Sequence, residues 1–153
     1  MSRSRLRLLQ GMPIFGGIEE QTLHFILDNS PFIEVRTGDT FFQEGAQANS
    51  MYVLVKGRVT ISRTWKGVQY QLRTLESGDC FGEMALMDCS PRSATAEAVQ
   101  DCQAIEITTS LFAGIFDQYP QQFTLIEMNM GREVCRRLRD SDKRLFIPDT
   151  ENR

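Results

Sequence analysis

The sequence is poor in the residues that metal and redox chemistry use. It has one histidine, His24, and four cysteines with no CxxC pair among them: Cys80, Cys89, Cys102 and Cys135. Zinc sites draw on closely spaced cysteine and histidine ligands, so no zinc site is expected. Hydrolytic chemistry needs a metal cluster or a nucleophile paired with a base, and the sequence offers neither pattern. We therefore expect reduced thiols in a cytoplasmic protein and assign no catalytic role to His24.

Long apolar runs and a large charge imbalance are missing as well. No stretch approaches the roughly 20 apolar residues of a membrane-spanning helix. The basic start MSRSRLR is followed by LLQGMPIFGG rather than by the apolar core of a secretory signal. The formal net charge of −3 argues against general nucleic-acid binding. A chain of 153 residues, 41% hydrophobic and 24% charged, suits one globular domain with an appended element.

A β-rich region fills the middle of the chain. Short β-prone runs are separated by turn residues, in the order FIEVR, TFFQ, MYVLV, RVTISRTW and VQYQLRTL. Four glycines divide these runs and are each expected to adopt a positive φ in a hairpin or bulge: Gly45, Gly57, Gly67 and Gly78. Further along, SATAEAVQ and QAIEI continue the sheet. The pattern predicts a mainly β fold, an eight-stranded antiparallel jelly-roll barrel over residues 31–107.

Helical patterns flank this region. A short amphipathic helix is predicted over residues 18–29, with His24 on its surface. C-terminal helices are predicted over residues 108–146, and residues 147–153 are interpreted as a tail. The longest of them has apolar residues at steps of three and four, namely Phe123, Ile126, Met130, Val134 and Leu138. This stripe either docks on the barrel or, as the charges around it favour, forms a coiled-coil-type seam in a homodimer.

Residues 81–98, FGEMALMDCSPRSATAEA, combine several parts of an anion site. A short helix is predicted to begin at Gly82 and to stop before Pro91. Its free N–H groups and dipole favour a phosphate, and Gly82 lets the anion approach closely. Arg92 then opens an extended strand that folds back toward Gly82. A guanidinium grips two phosphate oxygens, and Glu83 can accept a sugar hydroxyl, so the group fits a ribose carrying one phosphate charge.

This stretch resembles the phosphate-binding cassette of the cyclic nucleotide-binding domain family, and GDTFFQEGAQANSMYVLVKGRVTIS resembles the family's first half. The resemblance implies that Gly82 and Ala85 offer backbone N–H groups and that Glu83 takes the ribose 2′-hydroxyl. It further implies that Arg92 takes the cyclic phosphate and that Ser93 adds a hydroxyl. Three neighbours complete the expected binding site, Phe81, Met84 and Ala94.

Near the end of the chain, RRLRDSD resembles the segment of the family's long C-terminal helix that approaches the ligand. The resemblance implies that Arg137 lies near the cassette. It also implies that Ser141 and Asp142 lie near the base, either in the same chain or across a dimer. Asp142 departs from the small hydroxyl residue expected at its position. Ser93 can serve either the phosphate or a guanine amino group. Guanine-favouring kinase-type domains of the family resemble one another in having threonine directly after the cassette arginine, where this chain has Ser93, so cyclic AMP is the expected ligand, with cyclic GMP as the alternative.

The resemblance implies a non-enzymatic sensor formed by residues 1–153 as a single domain. Nucleotide binding would reposition the C-terminal helices and act on an unidentified downstream protein, with no cofactor, metal, direct DNA contact or membrane contact. Two alternatives stay open. One is a fragment of a Crp/Fnr-type transcription regulator, since FIPDTENR is too short to hold a helix-turn-helix; the other is an interaction module with a vestigial pocket. A phosphodiesterase is not expected.

Overall fold

Two four-stranded antiparallel sheets form the centre of the chain in a computed structural model that describes residues 2–151. The strands are β1 (Phe32–Val35), β2 (Thr40–Phe42), β3 (Ser50–Lys56), β4 (Val59–Trp65), β5 (Val68–Leu75), β6 (Cys80–Phe81), β7 (Thr95–Ala98) and β8 (Cys102–Thr108). One sheet has the order β1-β8-β3-β6 and the other β2-β7-β4-β5. The predicted mainly β jelly-roll with eight strands is confirmed.

The closed barrel of the prediction is wrong, because no hydrogen-bonded ladder joins the two sheets among the described strands. Each sheet ends in strands with a single partner: β6 pairs only with β3, and β5 only with β4. β6 is only two residues long, so its free edge has too few backbone N–H and C=O groups to form a ladder with a strand of the other sheet. The sheets therefore pack face to face over a core instead of closing.

Helices cover the outside of one sheet. They are α1 (Ser2–Gln10), α2 (Glu20–Asp28), α3 (Met84–Asp88), α4 (Thr109–Gln118) and α5 (Pro120–Glu151), with a 3₁₀ turn at Pro13–Phe15. The helix predicted over residues 18–29 corresponds to α2, where exposed His24 lies 3.6 Å from Glu20. The predicted start of the cassette helix at Gly82 is wrong by two residues. Gly82 has φ +81°, which lies outside the right-handed helical region, so α3 begins only at Met84.

The tail predicted from residue 147 is also wrong within the described range, because α5 continues to Glu151. Pro148 lies in its last turn, where the missing N–H removes one backbone hydrogen bond without ending the helix. Residues 152–153 lie outside the described part of the chain. No helix within residues 2–151 combines the length and the apolar character needed to cross a membrane.

The first half of α5 docks on its own domain. Ile126 and Met130 are buried in the core that the helices share with the β1-β8-β3-β6 sheet. Asn129 fixes this contact, since its Nδ2 donates to the carbonyl oxygens of Ile14 at 3.2 Å and Gly16 at 2.9 Å. Leu138, about two turns beyond Met130, is 62% exposed. The predicted stripe is therefore not a continuous intermolecular seam, because its front half packs within the chain.

The second core lies between the two sheets and is built from inward-facing residues of both, among them Leu54, Val59 and Phe81. The hairpin that joins β3 to β4 turns tightly at Gly57, at the edge of this core. A Cβ at Gly57, where φ is +107°, would lie 2.6 Å from the carbonyl oxygen of Asp101. All four glycines predicted to have positive φ do so. The cassette borders this core, since Phe81 and Ala94 belong to it.

Candidate functional site

A pocket opens between β5, the turn before α3 and the segment that leads into β7. Its lining residues are Phe42, Ile61, Arg73, Gly82, Glu83, Met84, Asp88, Ser90, Pro91, Arg92, Ser93 and Ala94. Six of the residues predicted from sequence are among them: Gly82, Glu83, Met84, Arg92, Ser93 and Ala94. Phe81 is fully buried beneath the pocket, and the side chain of Ala85 lies outside the described part of the chain. The contiguous cassette therefore folds into one concave site.

Gly82 makes the turn that closes this site. A Cβ there would lie 2.7 Å from Nη1 of Arg92 and 3.3 Å from the Phe42 ring, and its φ of +81° disfavours any other residue. Arg92 Nη1 donates to the Gly82 carbonyl oxygen at 3.0 Å. The glycine thus allows the guanidinium and the cassette backbone to approach each other closely.

Arg92 is buried, with 5% of its surface exposed, and no carboxylate among the described residues forms an ion pair with it, although the charges of Glu106 and Glu83 act on it. Its Nη2 donates to the carbonyl oxygen of Ser50 at 2.7 Å, and its guanidinium carbon lies 4.0 Å from the Phe42 ring centroid. Its Nε is buried without a hydrogen-bond partner. Burial lowers the pKa of Arg92 from its usual value. A buried guanidinium held by neutral carbonyls, with a free donor, is prepared to take an anion.

Glu83 is 1% exposed and forms an ion pair with Arg137 of α5. Arg137 also donates through Nη2 to the carbonyl oxygen of Cys80 at 3.2 Å. Burial alone would lower the pKa of Arg137, yet the charge of Glu83 leaves it raised. Burial and the charge of Glu83 raise the pKa of the Cys80 thiol to about 12, so this thiol stays protonated. The structure thus places Arg137 beside the cassette, in direct contact with the carboxylate expected to hold a sugar.

Ser141 and Asp142 do not reach this pocket within one chain. Both are exposed on α5, beyond Arg137, and neither is among the lining residues. Their predicted contact with a base stays a prediction.

Arg73 is the site residue that the sequence analysis missed. It lies on β5 opposite Ile61 and lines the pocket. Its Nε is buried without a partner, and the described residues offer its guanidinium no hydrogen bond or ion pair. Burial, and next the positive charge of Arg137, lower its pKa. The sequence did contain a signal for Arg73. It lies two residues before Leu75 in the same strand, so the two side chains share the inward face of that strand.

Comparison with known proteins agrees with this geometry. A family model described as "Cyclic nucleotide-binding domain" matches residues 32–119, more than half of the chain. The cyclic AMP receptor protein of Thermus thermophilus is 29% identical over 140 residues, which are 91% of this chain and 63% of the relative. The chain thus spans less than two thirds of that relative's length.

Two solved structures show the same fold. The catabolite activator protein of Thermus thermophilus superposes with a TM-score of 0.77 at 28% identity, over 90% of this chain and 63% of that one. A cyclic nucleotide-binding domain from Methylobacillus flagellatus KT superposes with a TM-score of 0.84 at 15% identity, over 94% of this chain and 82% of that one. The fold, the cassette and the family match together show that this chain belongs to the cyclic nucleotide-binding domain family.

Proposed function

We propose that the pocket binds a purine 3′,5′-cyclic nucleotide and that the chain acts as a non-enzymatic sensor. The observation that carries the proposal is Arg92, a buried cation with an unused Nε donor, facing the pocket beside Gly82 and Glu83. Arg92 would hold the cyclic phosphate, with the Ser93 hydroxyl and the backbone N–H groups of Gly82 and Ala85 as further donors. Glu83 would accept the ribose 2′-hydroxyl.

Cyclic AMP is the expected ligand, and the relative named cyclic AMP receptor protein supports that expectation. The unpartnered Nε of Arg92 argues against a vestigial pocket. A buried cation with an unused donor costs free energy, and a pocket that binds no ligand has nothing to offset that cost. The relatives are regulatory nucleotide-binding proteins, which agrees with a sensor rather than an enzyme.

Ligand binding would reach the C-terminal helix through Glu83. Arg137 of α5 occupies this carboxylate, so a ribose hydroxyl must share it or displace Arg137. Either change alters the contact that joins α5 to the cassette, and a ligand with different affinity for the two arrangements shifts their populations. The unidentified downstream protein and the cytoplasmic location of the sensor stay predictions.

Calorimetric titration of the chain with cyclic AMP, cyclic GMP and linear AMP tests the proposal. We expect saturable binding of a cyclic nucleotide and at least roughly tenfold weaker binding of linear AMP, since its extra charge and open phosphate do not fit the cassette. A cyclic nucleotide at about 100 times its Kd should add about 2.7 kcal/mol to the free energy of unfolding. Absence of heat and of stabilisation with both cyclic nucleotides would leave the vestigial module as the better account.

We also propose a homodimer through the exposed face of α5. Exposed or small residues recur there at steps of three, four and three: Met128, Gly131, Cys135 and Leu138. This is the spacing of a coiled-coil seam. Apart from its chain neighbours and the nearby backbone of its own helix, no described atom lies within 4 Å of the position that a Cβ on Gly131 would take, so a second helix can approach closely. Asp142 is the next residue of the series, which fits its predicted role near a partner's ligand.

Light scattering on the free and cyclic AMP-bound chain tests this interface. Leu138→Glu should convert a dimer to a monomer, because it places two carboxylates in an apolar seam. Lys56→Glu is the matched control, since that exposed residue lies at the end of β3 and not on α5, and it should leave the dimer intact. A wild-type monomer with and without ligand would refute the proposal.

A further inference from the structure

A half-buried carboxylate, that of Glu106, is joined to the guanidinium of Arg92 through one residue, Ser50. The Ser50 hydroxyl donates to Oε2 of Glu106 at 3.0 Å, and the Ser50 carbonyl oxygen accepts from Nη2 of Arg92 at 2.7 Å. Neither Ser50 nor Glu106 lines the pocket. The three residues therefore form a line that starts outside the pocket and ends at the guanidinium that faces it.

The sheet fixes Glu106 in this place. β3 and β8 pair antiparallel with Tyr52 opposite Glu106, so these two side chains lie on the same face of the sheet. On the other side of β8, the backbone N–H of Glu106 donates to the carbonyl oxygen of Pro31 at 2.9 Å. Ser50 is 1% exposed at the start of β3. Strands on both sides of β8 thus hold the carboxylate near Arg92.

Glu106 is the negative charge that remains available to compensate Arg92. Burial lowers the pKa of that guanidinium, and the charges of Tyr52, Glu106 and Glu83 oppose this effect. Burial also raises the pKa of the Tyr52 phenol, so this group is neutral at neutral pH. Glu83 is already paired with Arg137. Among the residues that the structure describes, no lysine or arginine forms an ion pair with Glu106.

A counter-charge in this position acts in opposite directions on the free and the liganded protein. Without ligand, the Glu106 carboxylate offsets part of the cost of keeping a buried guanidinium charged. With a phosphate on Arg92, the same carboxylate repels the added negative charge through a partly buried region, where screening by salt is weak. Its presence therefore stabilises the empty pocket and weakens the binding of an anion.

We propose that Glu106 is the counter-charge of Arg92 and sets the affinity of the pocket for anionic ligands. This inference rests on the proposed function and deepens it, because it names a residue outside the pocket that tunes the phosphate site. Glu106 is a positioning residue, since it makes no contact with the ligand and acts by its charge and through Arg92.

Glu106→Gln tests the proposal, because glutamine keeps the size of the side chain and an acceptor for the Ser50 hydroxyl but removes the charge. We expect the affinity for cyclic AMP, measured by calorimetric titration, to rise by about 3- to 10-fold. The affinity for cyclic GMP should rise by the same factor, since the base takes no part. The urea midpoint of the free variant should fall, whereas a residue with only a structural role would lower stability and affinity together.

A second comparison needs no nucleotide. In an Arg92→Ala background the guanidinium is gone, so adding Glu106→Gln should no longer lower the urea midpoint. Glu34→Gln is the matched control, since that exposed glutamate lies on the neighbouring strand β1 and is not among the charges that act on Arg92. It should leave the midpoint and both affinities unchanged.

Two results would overturn the role of Glu106 while leaving the proposed function standing. One is an unchanged or lower affinity of Glu106→Gln for both cyclic nucleotides. The other is the same loss of urea midpoint with and without Arg92. Absence of nucleotide binding by the unaltered chain would instead overturn the proposed function and, with it, the effect on affinity. The midpoint comparison would still show whether Glu106 compensates the charge of Arg92.

Discussion

Replacing Arg92 by alanine is expected to weaken cyclic nucleotide binding by roughly a hundredfold to ten-thousandfold. The guanidinium is buried, its Nε is unused, and the described residues place no carboxylate within ion-pair distance of it. Two charge-assisted hydrogen bonds to the phosphate contribute about 1.5 to 3 kcal/mol each, and alanine removes both. Titration calorimetry of the variant beside the unaltered chain measures the loss.

Two further variants sharpen this test. Arg92→Lys retains the charge without the planar fork and should lose part of the affinity. Arg58→Ala removes an exposed arginine that pairs with Glu76 at 3.4 Å and should change nothing. Unfolding midpoints must be compared, since Arg92 also donates to the carbonyl oxygens of Gly82 and Ser50. An Arg92→Ala protein that is folded and binds normally would contradict the assignment of the phosphate site.

Replacing Arg137 by alanine is expected to lower the free energy of unfolding by about 3 to 5 kcal/mol. The side chain of Glu83 is 1% exposed, so alanine at 137 leaves a buried carboxylate without its partner. The second contact, from Arg137 to the Cys80 carbonyl oxygen, is lost as well. Urea denaturation without nucleotide measures the change.

An exposed ion pair elsewhere in the chain provides the control. Arg58 pairs with Glu76 at 3.4 Å, and the two side chains are 46% and 68% exposed, so Arg58→Ala should cost about 1 kcal/mol or less. The double variant Arg137→Ala with Glu83→Gln removes the uncompensated charge and should recover part of the stability. Equal costs for the two single arginine variants would show that the pair with Glu83 does not fasten α5 to the cassette.

The cassette could be predicted from sequence because its parts are local. Gly82, Glu83 and Arg92 lie within one short segment, and the turn, the short helix and the following strand that join them depend on nearby residues. The β-rich pattern likewise predicted eight strands, since alternation and turn glycines are properties of each run. Closure into a barrel is not such a property, because it depends on whether edge strands meet in space.

Contacts between distant segments were the ones that the sequence analysis missed or misjudged. α1 was not predicted, because its stability comes from Leu6 and Leu9 packing into the core rather than from a local signal. The front half of the α5 stripe could serve a partner or the same chain on pattern alone, and the structure shows Ile126 and Met130 in the chain's own core. Arg73 was missed for the same kind of reason, because only the folded chain shows that its Nε is buried without a hydrogen-bond partner.

The strand order has a consequence for how the chain folds during synthesis. β1 pairs only with β8, and β2 only with β7, among the described strands. At about 5–20 residues per second, the ribosome leaves these two early strands without partners for several seconds. Non-local pairing of this kind is slow, and unpaired strand edges invite association with other chains. A nucleotide cannot help at that stage, because Arg92 leads directly into β7 and the pocket forms only when β7 joins the sheet. Ligand therefore becomes a stabilising influence only after both sheets have assembled.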